Sequence, residues 1–271
     1  MIIKKQMYYK NIFTRFLFRK NFLKRLKMRF NNEKRKVLKN EYDDLVFLFN
    51  KLNRSPKVIF DCGANVGFVT YQFHKRFKSS SIYSFEPNPS VFEILKKSTE
   101  SNKNVHVFNK GVGNEDILLS FYKNNNTGTS SFLEPNDFHK AHLARKFEKI
   151  EIPTISINQF CKEQLIDKID ILKLDIEGFE LNALKGCEEM LVKNKIDFIY
   201  TEVNLIPTYE GQCLIEDVIS FLRRLNYIPY NFYGNNETEF RESIITNVLF
   251  ISSDLAREFN KVSGKDSVYL S

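Results

Sequence analysis

Four charged side chains in two short stretches have the types and spacing to do chemistry together. LKLDIEGFE (172–180) carries Lys173, Asp175 and Glu177 at alternate positions, and TEVN (201–204) carries Glu202. Read as a strand, the first stretch sends Leu172, Leu174 and Ile176 to one face and the three charges to the other. A strand inside an α/β sheet is expected to be apolar on both faces. A row of charges running to its tip therefore calls for a purpose other than burial. Carboxylates gathered there can take a proton as general base or collect a divalent cation through oxygen ligands. Lys173, one pleat deeper, can act as the counter-charge to crowded carboxylates. A structural reading stands beside these: an ion-paired cluster that ties strand ends together. The candidate catalytic residues are Lys173, Asp175, Glu177 and Glu202, and the candidate metal ligands are Asp175, Glu177 and Glu202.

A second constellation lies upstream in VIFDCGANVGFVT (58–70), an apolar strand that ends at Asp61 and turns through Gly63 and Gly67 into a helix. Glycines at such a turn let the backbone approach a ligand closely, and ligands of open α/β sheets bind beyond the carboxyl ends of the strands. A dinucleotide fingerprint needs glycine where this chain has Asn65 and Phe68, and no Gly-Lys-Ser/Thr follows for a phosphate loop. The D-x-G-x-N-x-G spacing instead resembles the first motif of class I S-adenosylmethionine (SAM)-dependent methyltransferases. In the next strand, SFEPNP (84–89) puts Glu86 at the carboxyl tip and stops the strand with Pro87 and Pro89. An acid there can accept both hydroxyls of a ribose.

The elements that must position these residues alternate. Strands are expected at 58–63, 81–87, 104–112, 116–124, 170–178 and 197–204, with 150–161 starting as a strand and entering a helix. Helices are expected at 42–52, 69–77, 90–101, 180–194 and 214–226, and 227–234 with 245–253 read as a closing hairpin-like pair. The stretch 124–132 reads as a polar turn, and 136–149 as helical or irregular. Strands alternating with helices imply a mostly parallel, doubly wound α/β sheet.

FDCGANVGF (60–68), SFEPNP (84–89) and LKLDIEGFE (172–180), in this order, together resemble the FkbM-type methyltransferase family. TEVN (201–204) and GVGN (111–114) are similar to it as well, and the resemblance covers roughly residues 56–252. It implies a Rossmann-like class I methyltransferase fold with seven strands, the last antiparallel. It also implies SAM as methyl donor and transfer to a hydroxyl oxygen of a sugar, glycolipid or small metabolite. Carried over by position, Asp61, Gly63, Ala64, Asn65 and Gly67 would line the donor, and Glu86 with Pro87 would hold its ribose. Asn109 and Gly111 would lie near adenine, and Ser130 and Ser131 match a loop near the site. Methyl transfer to a hydroxyl needs positioning and loss of the hydroxyl proton. Asp175 or Glu177 as base, or a divalent cation, would meet the second need.

Charge bounds the partners. With 14 basic residues and a single acid, residues 1–40 carry +13, which leaves −5 for the remainder of a chain of net charge +8. The domain expectation follows: a basic N-terminal arm, 1–40, and a methyltransferase domain, 41–271. The arm lacks the apolar run of a signal peptide or a transmembrane helix. Ile12, Phe16, Leu23, Leu26 and Phe30 gather towards one helical side. Arg19 and Lys27 fall there too, while Leu17 and Phe18 fall off it. Peripheral contact with an anionic membrane and loose packing on the body both fit. The expected location is the cytoplasm, with the arm as the candidate contact to the inner face of a membrane. The acidic body argues against a nucleic-acid surface. An RNA methyltransferase using the arm, and a non-catalytic SAM-binding protein, are the competing readings to a small-molecule or glycan O-methyltransferase. Cys62, Cys161, Cys187 and Cys213 lack metal or disulfide spacing and read as reduced, buried thiols. His139 and His142 read as surface residues.

Overall fold

Apolar runs closed by turn residues become the strands of a central sheet in the computed structural model, which describes residues 40–124, 127–142, 146–234 and 245–262. The helical and membrane readings of residues 1–39 lie outside the described residues. The chain divides between Asp43 and Asp44 into two units, and the second contains both β-sheets. The strands are β1 (Val58–Cys62), β2 (Ser81–Phe85), β3 (Val105–Phe108), β4 (Gly111–Gly113) and β5 (Leu118–Asn124). After them come β6 (Phe147–Ser156), β7 (Ile169–Leu174), β8 (Ile196–Asn204), β9 (Tyr227–Tyr233) and β10 (Ile245–Ser252). The helices are α1 (Glu41–Lys51), α2 (Phe68–Arg76), α3 (Pro89–Thr99), α4 (Asp137–His142), α5 (Ile157–Glu163), α6 (Glu180–Lys185), α7 (Glu188–Val192), α8 (Ile215–Arg224) and α9 (Ser253–Val262).

Among the described residues, seven strands form one sheet in the order β3-β2-β1-β7-β8-β10-β9. All neighbours are parallel except β10, which runs antiparallel to β8 and β9. This is the class I methyltransferase order, with the last strand inserted against the direction of the rest. The strand order reverses between β1 and β7, the switch point where α/β sheets bind ligands. β7 and β8 are buried along nearly their whole length, as strands covered on both faces must be. Phe60, Phe85, Phe108 and Phe160 pack with ring centroids 4.9–5.7 Å apart beneath this region. Local signals set the helix starts. Pro89 opens α3 after Asn88, whose side chain accepts from Ser90 N–H, and Ser156 caps α5 through Gln159 N–H.

Three expected elements take a different form. The strand read at 104–112 is two: β3 stays in the main sheet, and β4 leaves it to pair in parallel with β6 in a second sheet, β4-β6-β5. The turn between them is held because Asn109 Nδ2 donates to the Glu86 and Pro87 carbonyls at 2.8 and 3.0 Å. The helix read at 180–194 breaks into α6 and α7 at Gly186, where the backbone presses against the Gly113 carbonyl of β4. The strand read at 170–178 ends at Leu174. In addition, α9 follows β10 with no sequence expectation behind it, and the 136–149 stretch divides into α4 and the start of β6. Three of the four thiols are buried as expected, and Cys213 is half-buried.

A Cβ on Gly186 would stand 2.0 Å from the Gly113 carbonyl oxygen. Gly186→Ala is therefore expected to lower stability by about 1–3 kcal/mol, the range for overpacking a close contact. Urea unfolding followed by circular dichroism checks it, with a lower midpoint and an unchanged native spectrum as the expected result.

Candidate active site

A cleft of about 410 Å³ opens at the carboxyl ends of β1, β2 and β7, within the size range of small-molecule sites. Six of the nine residues expected to hold a cofactor line it: Gly63, Ala64, Asn65, Glu86, Pro87 and Gly111. The other three stand behind it. Asp61 is fully buried, Gly67 faces Leu95 and Ser98 of α3, and the Asn109 amide is committed to the carbonyls named above. The loop is pinned from below, since Gly63 and Ala64 N–H both donate to the Phe85 carbonyl at 3.0 and 2.9 Å. Gly63 has φ +76, and a Cβ there would fall 1.8 Å from the Asp175 carbonyl oxygen. Glycine is what lets the first motif touch the charged strand tip.

Glu86 is buried, and each carboxylate oxygen accepts one backbone N–H, from Asn65 at 2.9 Å and Asn88 at 2.8 Å. A carboxylate has further lone pairs to offer a hydroxyl. Burial pushes Glu86 up to about 7, although both N–H donors pull it down.

Beneath the cleft, the Lys173 ammonium is 1% exposed and meets Asp61 Oδ1 at 3.0 Å and Asp175 Oδ2 at 3.6 Å. It also donates to the carbonyls of Gly63 at 2.8 Å and Cys62 at 3.2 Å. Thr70 Oγ1 donates to the other Asp61 oxygen at 2.7 Å. Burial alone would lower the lysine's pKa. The Asp61 and Asp175 charges outweigh it, and the pKa is raised.

The acids meet through a turn, not a pleat. Past Leu174 the chain leaves the strand, and Glu177 adopts φ 57, a left-handed conformation uncommon outside glycine. Buried Glu180 braces this turn, its Oε1 accepting from Ile176 and Gly178 N–H at 3.0 and 3.2 Å. The result brings ligand oxygens of Asp175, Glu177 and Glu202 within 4.8 Å of one another. Asp175 and Glu177 line the cleft, and Ile176, expected on the face opposite the charges, is half-buried and lines it too. Burial first, and then the Asp175 charge, raise Glu177 and Glu202 well above the ordinary carboxylate value.

Ser131, expected on a loop near the site, donates its Oγ–H to the Glu177 carbonyl at 2.7 Å, and Ser130 lines the cleft. Other residues at the site were invisible to spacing arguments. Tyr209 places its hydroxyl 3.3 Å from Glu177 Oε2. Phe68, Phe121 and Phe132 add apolar walls, and Lys110 adds a cation. His139 corrects the surface reading: it is 1% exposed, against the rings of Tyr209 and Phe147 at 4.5 and 5.5 Å. The His142 side chain lies outside the described residues.

The Methyltransferase FkbM domain model matches residues 61–229, more than half of the chain. The chain belongs to the FkbM methyltransferase family. It is thus a SAM-dependent methyltransferase. Among its relatives, the 2-O-methyltransferase NoeI of Sinorhizobium fredii is 24% identical over 179 residues, covering 63% of this chain and 73% of the relative. The hexuronic acid methyltransferase AglP of Haloferax volcanii is 26% identical over 169 residues, covering 62% of this chain and 64% of the relative. Among solved structures, the magnesium protoporphyrin IX methyltransferase of Synechocystis PCC 6803 is 11% identical with a TM-score of 0.44, over 78% of each chain. No helix among the described residues is long and apolar enough to cross a membrane.

The residues present fit SAM: a glycine loop pressed on the strand tips, a cleft of suitable volume, and Glu86 at the β2 tip. Two outcomes are expected. Lys173→Met leaves Asp61 charged and buried, which costs about 3–5 kcal/mol. Thermal unfolding should show this loss, with much of it recovered in Lys173→Met/Asp61→Asn. Second, the fold raises Glu86 from 4.5 to about 7, so it favours the protonated acid. Its contribution to stability is full below pH 4.5 and is lost as pH rises through 7. A ribose held at Glu86 would favour the ionised form, and on that reading SAM affinity by calorimetry should tighten about tenfold from about pH 6 to about pH 8. Glu86→Gln should reduce both pH dependences; the share of stability due to buried Glu180, also raised to about 7, should persist.

Proposed function

We propose that this methyltransferase O-methylates a hydroxyl of a sugar-containing acceptor, a glycan, glycolipid or small glycoside, with Glu177 as general base. The observation that carries this reading is the placement of Glu177 on the cleft wall with a raised pKa, while Asp175 is engaged by Lys173. SAM, when bound, supplies a methyl group activated on a sulfonium. The chain's residues then have three tasks. The loop at 63–65 and Glu86 hold the donor, and apolar Phe68, Phe121 and Phe132 exclude water. Glu177 takes the hydroxyl proton as the oxygen–carbon bond forms and the carbon–sulfur bond breaks, and burial, which raises its pKa, makes the ionised carboxylate a stronger base. The names of the two relatives, a 2-O-methyltransferase and a hexuronic acid methyltransferase, support a sugar as acceptor. The −5 charge outside the first 40 residues supports it over RNA.

A second reading has Asp175, Glu177 and Glu202 gather a divalent cation that activates the hydroxyl. Their spacing favours it, and three carboxylates suit a hard cation such as magnesium. Location in the cytoplasm and contact of the arm with a membrane belong to the same proposal, with the membrane presenting a glycolipid acceptor.

Labelled SAM, screened over neutral glycosides, hexuronides, glycolipids and RNA, with and without chelator, tests the class. Label entering a sugar is expected, and label entering RNA alone would overturn it. Loss of turnover in chelator, restored by magnesium, would move the assignment to the cation. With an acceptor in hand, Glu177→Gln should lower kcat about 10²–10⁴-fold while SAM binding persists. Wild-type turnover in Glu177→Gln together with loss in Asp175→Asn would transfer the base to Asp175.

A further inference from the structure

Two segments outside the strand–helix core meet over the acid cluster. Residues 134–136 pair with 207–210 through Glu210 N–H to the Glu134 carbonyl at 2.8 Å, Asn136 N–H to the Thr208 carbonyl at 3.2 Å, and Asn136 Nδ2 to the Pro207 carbonyl at 3.0 Å. Gln212 Oε1 collects the N–H groups of Thr208 and Tyr209 at 2.7 and 3.1 Å, which fixes the turn that carries the tyrosine. From there the Tyr209 phenol, 2% exposed, reaches inward. Its oxygen lies 3.1 Å from the Thr129 carbonyl and 3.3 Å from Glu177 Oε2. One proton is shared between an acceptor on the covering segment and an acceptor on the acid cluster.

We infer that Tyr209 is a positioning residue: its hydroxyl holds the Glu177 carboxylate towards the cleft and couples that orientation to the seating of the 129–136 and 207–212 segments. This deepens the reading of Glu177 as base and rests on it for its effect on turnover. The coupling itself stands on geometry. Glu177 lies past the end of β7 in a left-handed turn, so the pleat does not aim its side chain. The backbone is held by Ser131 Oγ at the Glu177 carbonyl, and the phenol donates to the carboxylate. A phenol carries one O–H and so is the donor to a carboxylate oxygen at this distance. His139 supports the ring from behind at 4.5 Å. Neither imidazole nitrogen has a hydrogen-bond partner among the described residues, and burial lowers the His139 pKa. It therefore packs as a neutral ring that keeps the phenol in place.

Tyr209→Phe in the full chain removes one hydroxyl and keeps the ring. Hydrogen exchange, read without any acceptor, reports on the amides of Ser131, Leu133 and Gly178. Their exchange is expected to speed up about tenfold, the effect of one lost hydrogen bond, with SAM affinity by calorimetry unchanged. Unaltered exchange at both 131–133 and 178 would overturn the coupling, and so would acceleration spread over the whole chain, which would mean general destabilisation. Turnover with labelled SAM on 4-nitrophenyl β-glucoside and its glucuronide should fall about 10- to 100-fold in kcat, with the KM for SAM unchanged. An unchanged kcat on a turned-over glycoside sinks the positioning role. If Glu177→Gln retains full turnover while Tyr209→Phe still accelerates exchange, the base assignment fails and the coupling stands.

Discussion

One buried ammonium holds the site together. Lys173 reaches the Cys62 carbonyl at the end of β1, the Gly63 carbonyl of the glycine loop, the carboxylate of Asp61 beneath it and the carboxylate of Asp175 beside it. Removing a lysine charge from water is expensive, and the compensation must come from good geometry around it. That geometry exists because β1 and β7 are parallel neighbours with Asp61 paired to Lys173. The same register sets Lys173 of β7 beside Tyr200 of β8, and Leu174 beside Thr201. Past Leu174 the chain leaves β7, and the turn that follows brings the Asp175 carboxylate near Glu202. A one-residue slip would turn every one of these side chains to the opposite face. The ion pair and the sheet register therefore enforce one another.

The cleft inherits its shape from this junction. The loop from Gly63 to Gly67 can lie flat on the Asp175 carbonyl because nothing projects from Gly63, and Lys173 draws the Gly63 carbonyl inward from the other side. Glu86 completes the loop from β2 through the Asn65 N–H. Three strand tips are thus joined by hydrogen bonds before any ligand arrives. A preorganised donor site of this kind suits methyl transfer, where the donor is already activated and placement supplies much of the rate.

Such a junction is legible in sequence to a definite depth. Alternation along LKLD placed Lys173 and Asp175 on one face, and the strand–helix alternation of 58–108 and 169–226 matches the sheet that forms. What periodicity could not convey is where a strand stops. Glu177 continues the alternation on paper, yet the chain turns at Asp175 and brings Glu177 back by a left-handed step. Asn109 sits where a strand tip should offer a side chain to the cleft, but its amide turns back to the Glu86 and Pro87 carbonyls. Long-range contacts account for the other misses. The break at Gly186 depends on Gly113, far earlier in the chain. Tyr209 and His139 become neighbours only because residues 134–136 pair with 207–210. No local pattern announces such a contact, and His139 read alone is a polar residue on a short, charged helix.

Charge decides what kind of ligand the cleft can take. Asp175, Glu177 and Glu86 line it, with Glu202 close by, against Lys110 and a Lys173 already surrounded by acceptors. A phosphate would meet like charges at short range and a loop without the glycines that present backbone N–H groups to it. A sulfonium carries the opposite charge, and ribose hydroxyls are donors that a carboxylate at the Glu86 position can accept. The absence of a phosphate-binding fingerprint and the excess of acids are then one design. The same field would act on any acceptor: a neutral group enters without penalty, and an anionic group meets like charge at Glu177. Burial and mutual repulsion raise Glu177 and Glu202, so the cluster gains from a proton or from a cationic donor nearby. On the proposed reading, binding of the donor charge and readiness to accept a hydroxyl proton are opposed demands on the same carboxylates. The chain resolves them by geometry, with Lys173 holding Asp175 and a single phenol holding Glu177.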